Sequence, residues 1–413
     1  MSPASRVTGQ RLSPIRRMAV GAPPGTINLA LGEPGWPLPD VARQALADVG
    51  QGDGPLPYGP NTSRPDLVEA IADYHSRTSQ TVHPVHRTLT AQNTPQGSTG
   101  HATVSVDQIM VTSGSQAALF ALFQAHVEPG STVLVPDPGF VSYPSLARLC
   151  DAEPVGYPLA PGGHLDAEAL VETLLAHPRA SMVVLCHPAN PTGGMASAAD
   201  LTAVAETCAA RGVLLVSDEV YRELWVDEPP PSLHDVAAID TGVVLGSMSK
   251  AFGAPGLRLG WAVGGAQTLA PARIVHNAMT TAPAQPSQAA ALALLKAADE
   301  VLADSRGHVR RRWGIAEQVA PALTTRARSA PSSARAGIYL WVPVPRGARD
   351  AAGTDGDDPT LAFALRLRDE GGVTTVPGSA FGPRGAGHLR VSLGGPLDDL
   401  EEGLRRLAPW WTT

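Results

Sequence analysis

Five short apolar runs, each closed off by turn residues, constrain this chain more than any other feature. They lie at 109–112, 132–135, 181–185, 213–216 and 243–245. Runs of this length without polar alternation predict strands buried on both faces. Helix-patterned stretches at 116–126 and 198–211 fall between them. The alternation predicts an α/β fold built on a mostly parallel central sheet. After about residue 297 the texture changes to a charged helix at 304–318, a strand at 337–342 and a Gly/Asp-rich loop at 347–358. A second, smaller α+β domain fits that stretch, and 413 residues suffice for two cores. Residues 1–26 read as an irregular arm, and 78–106, rich in Thr, Gln, Pro and Gly, as a loop insertion.

Bulk properties exclude several functions. A formal charge of −7 argues against a nucleic-acid partner. No apolar run approaches the length of a membrane span, so no membrane partner is expected. The start of the chain carries Arg6, Arg11, Arg16 and Arg17 but no apolar stretch of a secretory signal, which makes the cytoplasm the expected location. Cys150, Cys186 and Cys208 are odd in number and widely spaced, so buried free thiols are expected, with no metal site.

Chemistry concentrates at strand ends and the turns that follow them, where open α/β sheets bind ligands. Of 31 lysines and arginines only Lys250 and Lys296 are lysines. Lys250 reads as a covalent catalyst, because a guanidinium cannot lose its proton and attack a carbonyl. Ser247 and Arg258 flank it with a hydroxyl and a guanidinium suited to phosphate. The turn Gly114-Ser115-Gln116 opens a helix whose first N–H groups make an anion site. Asn190 lies in the turn His187-Pro188-Ala189-Asn190-Pro191-Thr192-Gly193, which reads equally well as an ordinary turn. Asp218 stands at the end of the fourth run, where a buried carboxylate can hold a heterocyclic nitrogen protonated.

The segment Ser247 to Gly260, read as Ser-x-Ser-Lys-x-x-Gly-x-Pro-Gly-x-Arg-x-Gly, resembles the lysine signature of the class I/II aminotransferases, pyridoxal-phosphate enzymes of fold type I. Gly114-Ser115-Gln116, Asn190-Pro191-Thr192-Gly193, and Asp218 with Tyr221 stand ahead of Lys250 in that family's order. The resemblance spans about residues 28–408. It implies a large cofactor domain over 46–296 and a small domain over 297–413, joined by an N-terminal arm and small-domain segment at 1–45. It further implies that Lys250 carries pyridoxal 5'-phosphate as a Schiff base and moves the proton between substrate Cα and cofactor C4′. Asp218 would pair with the pyridinium nitrogen, Asn190 and Tyr221 would meet the phenolic oxygen, and Phe140 would stack on the ring. Gly114, Ser115, Gln116, Ser247 and Arg258 would surround the phosphate. For the substrate, Arg390 would clamp the α-carboxylate, Gly32 would approach it through its backbone, and Trp36 would wall the side-chain pocket. Tyr58 resembles the tyrosine that reaches the phosphate of a neighbouring subunit, which implies a homodimer with shared active sites. In that segment Ser63 replaces the family's usual glycine, and Leu67-Val68 its Leu-Arg.

The expected function is therefore transfer of an amino group between an amino acid and a 2-oxo acid. The alternative is a pyridoxal-phosphate lyase, cyclase or oxidase using the same residues, since fold does not fix the reaction. A dicarboxylate substrate would need a further cation, for which Arg16, Arg17 and His276 are candidates, whereas Trp36 and Tyr143 would line an apolar pocket.

Overall fold

In a computed structural model the chain is described over residues 4–8, 10, 15, 18, 20–78, 104–328, 335–345 and 358–412. Arg16, Arg17 and nearly all of the two expected loops at 78–106 and 347–358 lie outside the described residues. Strand β1 (Ile27–Asn28) comes from the N-terminal segment. Seven further strands follow: β2 (Ile109–Thr112), β3 (Thr132–Asp137), β4 (Glu153–Pro158), β5 (Ala180–Cys186), β6 (Leu214–Asp218), β7 (Gly242–Ser247) and β8 (Gly260–Val263). They form one sheet in the order β2-β8-β7-β6-β5-β3-β4. The pairings from β4 through β7 are parallel, and β8 runs antiparallel to both β2 and β7.

All five expected strands are present, within a residue or a few at each end. Residues of β2, at one edge of the sheet, and of β3, in its interior, are buried throughout, as strands covered on both faces require. Two strands of this sheet escaped the sequence reading for physical reasons. β4 carries Pro154 and Pro158, which remove donors, and it occupies the sheet edge where that loss is tolerated. β8 is four residues long and opens on Gly260 beside the turn that carries the lysine signature.

The helix Ala198–Arg211 forms over the expected span. Ser197 accepts a hydrogen bond from the Asp200 backbone N–H, while Asp200 reaches back to the Ser197 backbone. Gly212, at φ 64°, ends the helix in the left-handed conformation that glycine adopts without steric cost. The helix Ser115–His126 buries Ala118, Leu119, Ala121, Leu122 and Phe123 against the sheet, so its start is fixed where β2 ends.

A second layer contains β9 (Tyr339–Pro343), β10 (Val373–Thr374), β11 (Val376–Pro377) and β12 (His388–Ser392). β9, β12 and β11 form an antiparallel sheet, and β10 pairs in parallel with β1. The N-terminal segment is thereby tied to the C-terminal part. The charged helix is longer than its pattern suggested, Ala298–Val319, and packs beside Leu397–Leu407. Ser63 keeps a glycine-like backbone, with φ 74° and a buried hydroxyl that has no hydrogen-bond partner among the described residues. Leu67 and Val68 are both buried core residues. Cys150, Cys186 and Cys208 are free thiols, and no group of metal-ligating side chains occurs among the described residues.

The ends of β5, β6 and β7 deliver Cys186, Asp218 and Ser247 to the same rim of the sheet. Leu215, fully buried on β6, supports that rim from within the core. Leu215→Ala should lower the unfolding free energy by about 2–5 kcal/mol in a denaturant titration; a change within error of zero would show that this strand does not sit in the core.

Candidate active site

Four separate stretches of chain meet over that rim in one cavity. Lys250, the third residue of the turn after β7, directs Nζ at the Gly32 carbonyl, 2.6 Å away, and lies 5.6 Å from the Tyr221 ring centroid. Burial lowers its pKa from the usual 10.5 to about 8; the charge of Glu33 opposes the shift, and the guanidiniums of Arg390 and Arg258 add to it. Lys250 is therefore an amine that loses its proton far more readily than an ordinary lysine, around pH 8. Lys296, by contrast, is exposed on the helix Gln285–Lys296.

Asp218 closes the far end of the cavity. Its Oδ2 accepts a 2.7 Å hydrogen bond from the Tyr143 hydroxyl, and its Oδ1 has only a long 3.5 Å contact with the Val220 N–H. Burial raises the Asp218 pKa, and the Tyr143 hydrogen bond works in the other direction. The strand's alternation separates it from Ser217, which turns to Glu219 and His187. Phe140 packs edge-on against Tyr143, with ring centroids 5.6 Å apart. Cys186 also lines the cavity, and burial pushes its thiol up to about 12, so it stays protonated.

An anion cradle lies between the start of the helix Ser115–His126 and the lysine turn. Gly114 has φ 89°, and a Cβ there would stand 2.8 Å from Arg258 Nη2. A Cβ on Gly260 would stand 2.5 Å from the Ser115 backbone nitrogen. Arg258 is held at φ 48°, uncommon for a residue with a Cβ, and donates from Nη1 to the Pro255 carbonyl at 3.0 Å. Ser115, Gln116, Ser247 and Arg258 all line the cavity.

Arg390, on β12, supplies a second cation. Its Nη1 donates to Asn190 Oδ1 at 2.7 Å, its Nη2 donates to the Ala30 carbonyl, and its Nε has no partner among the described residues. The guanidinium lies 4.5 Å over the Tyr339 ring and 5.0 Å over Phe381. Five N–H groups less the two used leave this buried guanidinium with donors to spare.

Tyr221 joins the group through a 2.6 Å hydrogen bond between its hydroxyl and that of Tyr339. A Cβ on Gly32 would overlap the Tyr339 hydroxyl, so glycine is required there by space.

Lys250, Asp218, Tyr221, Asn190, Arg390, Gly32, Phe140, Ser115, Gln116, Ser247 and Arg258 are thus gathered at one cavity, with Gly114 behind Arg258. Three expected residues are elsewhere. Trp36 is buried away from the cavity, stacked on His308 at 5.4 Å and beneath Arg312 at 4.9 Å. Tyr58 is 91% exposed and does not line its own chain's cavity. His276 is buried, accepts a hydrogen bond from the Ser113 N–H at 3.2 Å and is kept neutral by burial, so it offers no cation to a distal carboxylate. Tyr143 belongs to the Asp218 end instead of lining a separate apolar pocket. Tyr339 and Glu33 were not found from sequence; an aromatic in an apolar strand carries no signal that separates a site residue from core.

Comparison with known proteins bears on the family and the fold. The family model for aminotransferase class I and II matches residues 24–407. Arginine–pyruvate transaminase AruH of Pseudomonas aeruginosa is 31% identical over 385 residues, covering 92% of this chain and 88% of that protein. An LL-diaminopimelate aminotransferase of Dehalococcoides mccartyi is 26% identical, with 92% and 90% covered. Among solved structures, N-succinyldiaminopimelate aminotransferase from Mycobacterium tuberculosis superposes with a TM-score of 0.81 at 26% identity, covering 99% of this chain and all of that one.

Having only two lysines makes the site amine directly observable. After reductive ¹³C-methylation of the cofactor-free protein, the Lys250 resonance, identified by its loss in Lys250→Met, should titrate with a midpoint near 8. A midpoint near 10.5 would mean that the amine is not buried among cations. Gly32→Ala should displace Tyr339 and lower catalytic efficiency about tenfold or more, whereas unchanged kinetics would show that the close approach is not needed.

Proposed function

The chain belongs to the class I and II aminotransferases, and from that premise we propose how its own residues divide the work. It is a pyridoxal-phosphate-dependent enzyme of fold type I. The observation that carries the assignment of roles is the convergence of Lys250, Asp218 and Arg390 on one cavity from three separate segments.

The residues fit the cofactor on three counts. The cradle of helix N-terminus, Ser115, Ser247 and Arg258 suits a phosphate, and Arg258 has no carboxylate bonded to it among the described residues. Asp218 has an oxygen to spare for a cationic ring nitrogen, and such a partner would offset the cost of its burial. Asn190, with Oδ1 committed to Arg390, keeps its amide N–H groups for a phenolic oxygen, beside the Tyr221 hydroxyl. When bound, pyridoxal phosphate supplies an aldehyde that an amine can condense with and a ring that accepts the electrons of a broken Cα–H bond.

Around that chemistry Arg390 binds the α-carboxylate of an amino acid through its remaining donors, and Gly32 allows the carboxylate close to the backbone. Lys250 would hold the cofactor through its amine, and as a free amine beside bound substrate it would take the proton from Cα and return it, acting as base and then acid. A pKa near 8 suits both roles. Water would supply the carbonyl oxygen of the departing 2-oxo acid while the nitrogen stays with the enzyme, and a second 2-oxo acid would take that nitrogen with release of water.

Tyr58 reaches the phosphate site of a second subunit. Its near-complete exposure, with Leu56 also 63% exposed beside it, supports a homodimer with shared sites. No helix among the described residues is long and apolar enough to cross a membrane; the amino-acid and 2-oxo-acid substrates that the family implies support work in the cytoplasm. Large-domain and small-domain roles follow the division at 46–296 and 297–413, with the N-terminal segment joining the small domain through the β1–β10 pairing.

A ¹⁵N-labelled amino donor tests transfer against elimination. The label should stay with the protein after the first oxo acid leaves and pass to a second oxo acid, with parallel double-reciprocal plots; stoichiometric ammonia release would contradict transfer. Lys250→Arg should reduce kcat by about 10³-fold or more, since a guanidinium keeps its proton.

A further inference from the structure

Tyr339 touches three parts of the site at once. Its hydroxyl is 2.6 Å from that of Tyr221, its ring lies under the Arg390 guanidinium at 4.5 Å, and its hydroxyl fills the space beside Gly32 where any Cβ would stand. The side chain is 2% exposed and lines the cavity. Its placement follows from strand register: Tyr339 pairs with Ser392 and Trp341 with Arg390, so Tyr339 sits diagonally across from Arg390.

A tyrosine hydroxyl has one proton to give. If Tyr221 spends it on the cofactor's phenolic oxygen, the 2.6 Å contact with Tyr339 has only one remaining polarity, with Tyr339 donating and Tyr221 accepting. A hydroxyl that accepts one hydrogen bond becomes a stronger donor of the next. We propose that Tyr339 is a positioning residue that donates to Tyr221, strengthening the Tyr221 hydrogen bond to the cofactor and holding down the pKa of the nitrogen that Lys250 shares with it. Because its ring also carries Arg390, the same side chain fixes the carboxylate clamp against the cofactor's phenolic edge. This inference rests on the cofactor assignment above, and extends it to a residue that neither motif order nor spacing identifies.

The test is a pH titration of the cofactor absorbance in the loaded protein, for wild type, Tyr221→Phe, Tyr339→Phe and the double variant. Tyr339→Phe keeps the ring beneath Arg390 and should raise the midpoint by roughly 0.5 to 1 pH unit. It should lower kcat about fivefold and leave KM for the amino donor within about twofold, since the carboxylate clamp is retained. In the Tyr221→Phe background the same change should produce no further shift, because the relay is already cut. Tyr339→His, which retains a ring donor, should return the midpoint toward wild type. An unchanged midpoint in Tyr339→Phe, or shifts that simply add in the double variant, would overturn the relay while leaving the cofactor assignment intact. Failure of wild type to take up the chromophore would remove that assignment, and the relay with it. Should Tyr339→Phe not melt cooperatively, Tyr339→Leu, which lacks the donor in a smaller side chain, provides the same comparison.

Discussion

An ammonium group enclosed among other cations is costly, and the site is organised around that cost. Lys250 sits at the end of β7 with Arg258 on one side and Arg390 on another, while Asp218 and Glu33 offset them only in part. The penalty is relieved when the amine gives up its proton, the form in which nitrogen can attack a carbonyl. The same surplus of positive charge prepares the cavity for a ligand with negative charge at both ends, a phosphate at the Arg258 end and a carboxylate at the Arg390 end. Buried or cavity-facing guanidiniums that lack carboxylate partners are expensive for the protein alone. They are understandable if ligand anions complete them.

The sheet makes this arrangement possible because it separates charges by strand. Asp218, Cys186 and Ser247 come from neighbouring parallel strands, so their spacing is set by backbone hydrogen bonding more than by side-chain rotamers. Arg390 and Tyr339 arrive from a different sheet, whose register places one diagonally against the other. A site assembled from two such frameworks keeps its cofactor end and its substrate end rigid within each part.

Much of this was legible in the sequence, and the reason is local. Lys250, Ser247, Arg258, Gly114 and Ser115 lie in short turns that were legible through the order and spacing of motifs resembling one family, and Asp218 stands at the end of a strongly apolar run. The parallel core was legible because buried strands lack polar alternation. Residues whose role depends on tertiary neighbours were harder to read. Tyr339 is one apolar-strand aromatic among several until its hydroxyl is seen against Tyr221. Trp36 follows a site glycine closely in sequence, yet its ring turns away to His308 and Arg312. His276 is polar and near the cradle, but its nitrogen is spent on the Ser113 backbone. The proline-bearing edge strand β4 was missed because edges tolerate what interiors do not.

The central claim is that a single buried amine, Lys250, is the point of covalent attachment. Borohydride reduction of the loaded protein, followed by digestion and mass mapping, tests it most directly, since Lys296 is the only competing side-chain amine. The account predicts one pyridoxyl group per chain, on the peptide that contains Lys250. Label on Lys296, or spread between the two lysines, would contradict it.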